Sequence, residues 1–307
     1  MCFKKNGVLF VAVFVVFADC LVQSACAYTI VGWGNNDYGQ ATPPGGNDYI
    51  AIAAGLTHSL ALRSDGSIVG WGNNDYGQAT PPTGNDYTAI AAGEEFSLAL
   101  RSDGSIVGWG SNMDNYRNYL AGQATPPAGN NYKAISAGCW HGLALRSDGS
   151  IAGWGGNYAG WSYAPFWAGQ ATPPSGNGFI AIAAAAEHSL ALRSDGSIVG
   201  WGNDWIGEAT PPSGNDFTAI AAGGQHSLAL RSDGSIVGFG WNNDGNGNWI
   251  GQATPPAGND FIAIAAGGYH SLALRSDGSI VGWGGGELGL WLYYGQATPP
   301  VGNDYIA

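Results

Sequence analysis

The stretch EHSLALRSDGSIVGWG, Glu187 to Gly202, brings His188, Ser189, Ser194 and Asp195 close together in sequence. A histidine base, a serine nucleophile and an orienting aspartate are the ingredients of acyl-transfer hydrolysis. Histidines beside carboxylates are also metal ligands. The same histidine recurs as His58, His141, His226 and His270, each opening the same motif. A hydrolase needs one strained constellation, and five histidines spread evenly along a chain cannot converge on one nucleophile or one metal. Asp65, Asp103, Asp148, Asp195, Asp233 and Asp277 all fall in Ser-Asp-Gly, where turn chemistry explains them. The Asn-Asp pairs of the GNDY turns lack the carboxylate spacing of a calcium loop. The residues therefore predict no catalytic group, no cofactor and no metal. The histidines are expected to hydrogen-bond within or between neighbouring units.

Those units span the chain from Tyr28 onward. GWG, or once GFG, centres on Trp33, Trp71, Trp109, Trp154, Trp201, Phe239 and Trp283. QATPP or EATPP begins at Gln40, Gln78, Gln123, Gln170, Glu208, Gln252 and Gln296. From each Gln or Glu to the next centre is always 31 residues; from each centre to the next Gln or Glu is 7, 7, 14, 16, 7, 13 and 13. All length variation thus falls in one segment. Within a unit, NDYIAIAAG and HSLALR alternate as strands do, SDG is a hairpin turn, and SIVGWG reads as a third strand. GQAT reads as a short fourth strand, ended by Pro-Pro, which has no N–H to donate.

Short four-stranded units with a period near 40 are blades of a β-propeller. The prediction is an all-β, seven-bladed propeller over residues 28–307, with four short antiparallel strands per blade. The alternative is an open β-solenoid. The segments Tyr28–Pro44 and Val301–Ala307 would share one blade. That blade is expected to be incomplete, since neither segment supplies its second strand.

Residues 1–27 differ from the rest: basic MCFKKNG, apolar VLFVAVFVV, then SACA with small residues at Ala25 and Ala27. This reads as a secretory signal peptide cut before Tyr28; a membrane anchor or lipidation at Cys26 are the alternatives. Cleavage leaves 10 − 2 = 8 basic against 22 − 1 = 21 acidic residues, net −13, and only Cys139 among cysteines. An acidic surface repels phosphate backbones, which argues against nucleic acid and anionic membranes. The expectation is an exported monomer, secreted, periplasmic or on the cell surface.

The pattern GQATPP…AIAAGxxHSLALRSDGSIVGWG resembles the repeats of the regulator of chromosome condensation superfamily, and the resemblance covers Tyr28 to Ala307. It implies a seven-bladed propeller. The short units and the start on TIVGWGNNDYGQAT look most like its secreted bacterial members that inhibit β-lactamases, which implies a protein-binding rim. Nucleotide exchange, the activity of the nuclear namesake, is not implied for an exported acidic chain without a basic tail.

Two segments vary from unit to unit: the dipeptide before each histidine and the loop after GWG. In an up-and-down blade both lie on one rim, with SDG and TPP on the other. The variable segments hold Trp140, Trp161, Tyr163, Phe166, Trp167, Trp205, Trp241, Trp249, Tyr269, Trp291, Tyr293 and Tyr294. Exposed aromatic clusters mark binding surfaces, although rings folded back to cap the blades would give the same pattern. The expected partner is a protein. A glycan stacked on the rings, or an extracellular enzyme such as a β-lactamase held inhibited, are the alternatives. The long loops predict two aromatic walls flanking the short loop of Trp205.

Overall fold

The computed structural model describes residues 28–114, 119–159, 166–244, 247–285, 295–302 and 305, so the expected leader lies outside it. Every regular element among the described residues is a strand. Six three-stranded antiparallel sheets follow one another along the chain. Their first strands are Tyr49–Ala54, Tyr87–Ala92, Tyr132–Ala137, Phe179–Ala184, Phe217–Ala222 and Phe261–Ala266. The second strands are His58–Arg63, Phe96–Arg101, His141–Arg146, His188–Arg193, His226–Arg231 and His270–Arg275. The third are Ile68–Gly72, Ile106–Gly110, Ile151–Gly155, Ile198–Gly202, Ile236–Gly240 and Ile280–Gly284. We number these blades 1 to 6.

The Leu-Ala-Leu of each second strand is buried; blades 2 to 5 each pack between two others. Leu60 and Leu62 of blade 1 meet Tyr87, Ile90 and Ala99 of blade 2. Leucine thus fills one side of each seam and alanine makes room on the other. The first strands depart from strict alternation. A bulge between Tyr49 and Ala51 ejects Ile50 into solvent, as happens to Ile180 and Ile262. At the hairpin, Gly66 N–H bonds Arg63 O with φ +83°, so Ser64-Asp65-Gly66 forms a three-residue loop rather than a two-residue turn. Asp65 Oδ1 accepts from Ser67 N–H at 2.8 Å and Ser67 Oγ at 2.6 Å. Its equivalents repeat the pair, as the turn reading expects.

The constant spacing of 31 is a hydrogen bond. Trp71 Nε1 donates to Gln40 O at 2.8 Å, and Trp109, Trp154, Trp201 and Trp283 donate likewise to Gln78, Gln123, Gln170 and Gln252 at 2.9 Å. The histidines bridge blades, as expected. His58, His141, His188 and His226 place Nε2 on Ser97, Ser189, Ser227 and Ser271 Oγ of the following blade at 2.8–2.9 Å. All four of those hydroxyls donate onward, to Gln78, Gln170, Glu208 and Gln252 O, so the imidazole supplies the Nε2 proton. Blade 2 has Phe96 in place of histidine, and the next blade answers with Gly142 in place of serine. Trp154 moves into the vacated space, where a Cβ on Gly142 would stand 2.3 Å from its ring.

One expectation needs correction. GQAT is not a strand; these segments are turns, and the sheets hold three strands. Pro-Pro withdraws the donors a ladder needs. The segment is instead held by the Trp bond and by packing its alanine carbonyl against the first Gly of GWG. The described residues form six blades. The Ile30–Gly34 segment, sequence-equivalent to a third strand, has no ladder partner among the described residues. It is nonetheless tied across the ring: Trp33 Nε1 donates to Gln296 O at 3.0 Å, 263 residues away. Tyr305 N–H bonds Gly278 O as Tyr87 N–H bonds Gly66 O, both at 3.2 Å. Cys139 is buried and disulfide-bonded. The other cysteines, Cys2, Cys20 and Cys26, lie outside the described residues.

Candidate functional site: an apolar arc on one rim

Both variable segments do share a rim. The residue after each GWG donates its N–H to the carbonyl just before the histidine position: Asn73 to Thr57, Ser111 to Glu95, Asn203 to Glu187, Trp241 to Gln225. Six of the loops are then closed by a side-chain clasp three residues after the central aromatic. Asn36, Asn74, Asn112, Asn157, Asp204 and Asn242 each present Oδ1 to the N–H of the alanine in QAT or EAT, all at 2.8–2.9 Å. The clasp is the same whether the loop is short or long. Above it the long loops rise as hairpins, Met113–Asp114 with Tyr119–Leu120, and Tyr158–Ala159 with Phe166–Trp167.

One position on these loops stands out. Three residues before the Gln or Glu, successive blades present Leu120, Trp167, Trp205 and Trp249, which are 72%, 62%, 77% and 68% exposed. The two remaining described loops carry Asp37 and Asp75 there. Among the described loops the rim is therefore divided into an apolar arc over four adjacent loops and two acidic positions. The rings are held, not dangling: Tyr158 meets Trp167 edge-on at 5.4 Å between centroids. The indole Nε1 atoms of Trp167 and Trp249 lie in the same place relative to Gly169 and Gly251.

Of the aromatic residues expected at the site, Trp167, Trp205 and Trp249 are on this surface. Trp241 is half-buried. Trp140 and Tyr269 are buried instead of reaching over the rim: Trp140 packs with Cys139 and Ala186, and Tyr269 lies beneath the Asp244 loop. Burial, with Asp244 adding to it, pushes the Tyr269 phenol above its usual range. Trp161, Tyr163, Trp291, Tyr293 and Tyr294 lie outside the described residues, as does the Phe166 side chain. The sequence reading missed Leu120, and with it Tyr76 and Tyr158, all exposed on the post-GWG loops. Counting back from the invariant Gln, rather than counting aromatics, would have found Leu120.

Beneath the arc lie buried acids. Glu208 replaces the usual Gln and accepts Ile206 N–H at 3.0 Å; burial raises its pKa, helped by Asp204 and Glu187. Asn203 Nδ2 donates to Glu187 at 3.0 Å. Gln78 instead donates Nε2 to Asn73, a bond a carboxylate cannot make. Nothing here resembles a nucleophile with its base. The His–Ser pairs have that spacing, but both groups are sealed between blades and the imidazoles are held neutral. Among the described residues no three His, Cys, Asp or Glu gather as metal ligands.

The family model described as the regulator of chromosome condensation (RCC1) repeat matches residues 49–78, 87–116, 217–246 and 261–290. No curated protein sequence matches the chain. Among solved structures, yeast RCC1 (Prp20), in its complex with Kap60, superposes with a TM-score of 0.67 at 19% identity, covering 95% of this chain and 89% of that one. Prp20p from Saccharomyces cerevisiae, studied with its binding to Gsp1p and histones, gives 0.65 at 21%, covering 92% and 86%. The ectodomain of the Physcomitrella patens receptor kinase CR4 gives 0.63 at 21%, covering 82% and 65%. At such identities the likeness is one of fold.

Proposed function

Because the chain belongs to the repeat propellers of the regulator of chromosome condensation superfamily, we propose that it is a non-catalytic binding module whose apolar arc holds a protein. The observation that carries this reading is the run of Leu120, Trp167, Trp205 and Trp249 at one structural position on four adjacent clasped loops. Rigid aromatic side chains presented together with small polar neighbours are what interface anchors need. Leu120 favours protein over glycan, because it offers no flat face for a sugar. Prp20, a structural neighbour, is itself seen bound to Kap60. In this reading Ile30–Gly34 and Tyr305 belong to a seventh blade, and the Trp33–Gln296 bond is its link to the sixth. The leader directs export from a bacterial cell, so the chain works as a monomer outside the cytoplasm, and its exported N-terminus is Tyr28. Edman sequencing of exported material tests this; an intact leader or a lipid-modified Cys26 would refute it.

The decisive experiment immobilises the exported protein and the Trp167→Ala, Trp205→Ala and Trp249→Ala variants, and compares what each retains from its growth medium. Each anchor at a hot spot is expected to weaken binding by roughly 2 kcal/mol, about thirtyfold, while melting temperature holds. Asp195→Ala, in the opposite rim's hairpin, should lower the melting temperature and leave binding intact. A glycan array run in parallel separates the lectin alternative. Loop variants that change only stability would make the rings packing residues and end this assignment.

A further inference from the structure

On the rim opposite the arc, the arginine that ends each second strand lies over the aromatic ring that opens the first strand, at 5.0–5.8 Å. In four blades a carboxylate completes the arrangement. Asp48, Asp86, Asp216 and Asp260, each one residue before that ring, pair with Arg63, Arg101, Arg231 and Arg275 at 3.4, 3.7, 3.0 and 2.8 Å. Blades 3 and 4 carry Asn131 and Gly178 at that position. Arg146 and Arg193 accordingly make no ion pair among the described residues. Asp148 and Asp195 feel the two arginines, but they turn Oδ1 to Ser150 and Ser197, as the hairpin aspartate does in every blade. Arg193 is exposed where the other five arginines are half-buried.

The space those carboxylates fill is open in blade 4. A Cβ on Gly46, Gly84, Gly214 or Gly258 would stand 3.0–3.1 Å from Oδ1 of its blade's aspartate, whereas a Cβ on the equivalent Gly176 meets nothing within 4 Å. The frame around the hollow persists. Ser194 N–H bonds Gly178 O at 2.9 Å, as Ser64 N–H bonds Asp48 O at 2.8 Å. Phe179 N–H bonds Gly149 O of blade 3 at 3.0 Å, as Tyr87 N–H bonds Gly66 O. That bond sets Gly178 against the hairpin that follows Arg146, so the hollow lies between the two arginines that lack a partner carboxylate. Lys133, exposed at the bulge of the neighbouring first strand, adds a third cation. On this rim blades 1, 2, 5 and 6 each set one arginine against two aspartates, while blades 3 and 4 together set three cations against two. An approaching anion is attracted to this sector and repelled on either side of it.

We infer that the hollow over Gly176–Gly178 is a binding site for a carboxylate, the aspartate or glutamate side chain of an acidic segment on another protein, gripped by Arg193 with Arg146 beside it. The complete blades supply the geometry. The incoming oxygen takes the place of Asp216 Oδ2, which receives Arg231 Nη1–H at 3.0 Å. Stacking on Phe179 at 5.4 Å already orients the Arg193 guanidinium, so little side-chain freedom is lost on binding. Carboxylate is the class of ligand because the repeat's own slots hold that group. A protein segment is its source because one solvated ion pair is weak and holds a lone ion poorly. The group has to arrive with neighbours, and exposed Lys133 and Ile180 are there to receive them. The site stands on the rim away from the aromatic arc and is independent of what the arc binds.

The probe is a tetra-aspartate peptide, acetylated and amidated, titrated into the full chain at low salt and followed through the arginine Nε–H signals by NMR. Saturable binding is expected, with the largest shifts at Arg193 and Arg146. Gly178→Asp fills the hollow with the protein's own carboxylate and should weaken binding about fivefold, the upper range for one exposed ion pair. Arg193→Gln should weaken it by the same factor, and it keeps the test valid where an aspartate distorts the turn. Ser213→Asp adds the same charge to the turn of blade 5 and should change binding by less than about twofold. Trp205→Ala should leave it unchanged. No binding to the wild type overturns the proposal. So do shifts spread equally over Arg63, Arg101, Arg231 and Arg275, or equal losses in Ser213→Asp and Gly178→Asp. Acetate that binds as tightly as the peptide at equal carboxylate concentration overturns the protein partner in favour of a free ion.

Discussion

Lowering the pH from 7 to 5 is expected to remove most of the folding stability of this chain. Its five histidines are sealed between blades. Burial holds His58, His141, His188 and His226 at a pKa of about 3 and His270 at about 4, against 6.5 for a free imidazole. Neighbouring histidines add to the depression at His188 and His226. Above pH 6.5 neither state is protonated, and the histidines are neutral to stability. Between 6.5 and about 3 the unfolded chain takes up protons that the folded chain refuses, so stability falls as pH falls. At about 1.4 kcal/mol per pH unit per group, pH 5 removes about 2 kcal/mol for each histidine and about 10 in all. That rivals the whole stability of an ordinary domain, about 5–15 kcal/mol. The turn aspartates lie below 3.8, held there first by the Ser hydroxyl at Asp195, and so act outside this window. Urea titrations followed by tryptophan fluorescence at pH 7.5, 6.5, 5.5 and 5.0 test the result. A midpoint unchanged down to pH 4 would contradict it. The chain also contains its own control. His188→Phe with Ser227→Gly copies the Phe96–Gly142 seam and should remove about one-fifth of the acid sensitivity, whereas His188→Phe alone should destabilise at every pH.

Gly200→Ala is expected to be the most damaging methyl group that can be added to the framework. An ideal Cβ there would stand 2.1 Å from Ala209 O and 2.7 Å from its carbonyl carbon, both backbone atoms. Relief requires the strand or the EATPP connector to move, and the neighbouring Trp201 bond to Gln170 fixes the blade they share. Overpacking against backbone puts the cost near about 3 kcal/mol, the upper end for such changes. At about 2–4 °C per kcal/mol the melting temperature should drop by about 6–12 °C. Gly207→Ala is the contrast. Its φ is +81° but no atom lies within 4 Å, so it should cost only the strain of a left-handed backbone, about 1–2 kcal/mol. Equal losses at the two positions would show that close approach is not what selects glycine in GWG.

The repeat made much of the architecture legible. Strand boundaries, the SDG turn and the shared rim could be read because six copies agree, and an invariant spacing of 31 demanded a fixed contact, which proved to be the Trp–Gln bond. The fourth strand was misread because GQAT is short and apolar enough for a strand. Only the donor count of Thr-Pro-Pro and the tight fit of the alanine carbonyl on Gly70 tell against it. The site was half legible. Composition pointed to the correct loops, but aromatic identity does not report direction. Trp140 points inward because Cys139 and Ala186 offer it a pocket, while Trp205, on a short loop clasped at Asp204, has nowhere to go but outward. Leu120 escaped because it is not aromatic. The Phe96–Gly142 exchange was visible only to a comparison offset by one blade, since each histidine answers to its neighbour's serine and not to its own.

The loop clasp has a consequence for engineering. Because Asn74 and Asn157 grip the same backbone in the same way under loops of very different length, the two ends of each clasped loop are delivered at a fixed separation and direction. A loop cut after its clasp residue and before its Gln can therefore be transplanted from one blade to another, or replaced by a foreign segment, without the ring sensing the exchange. The wheel is in effect a rack of interchangeable mounts, and recognition can be redesigned one mount at a time while the frame is left untouched.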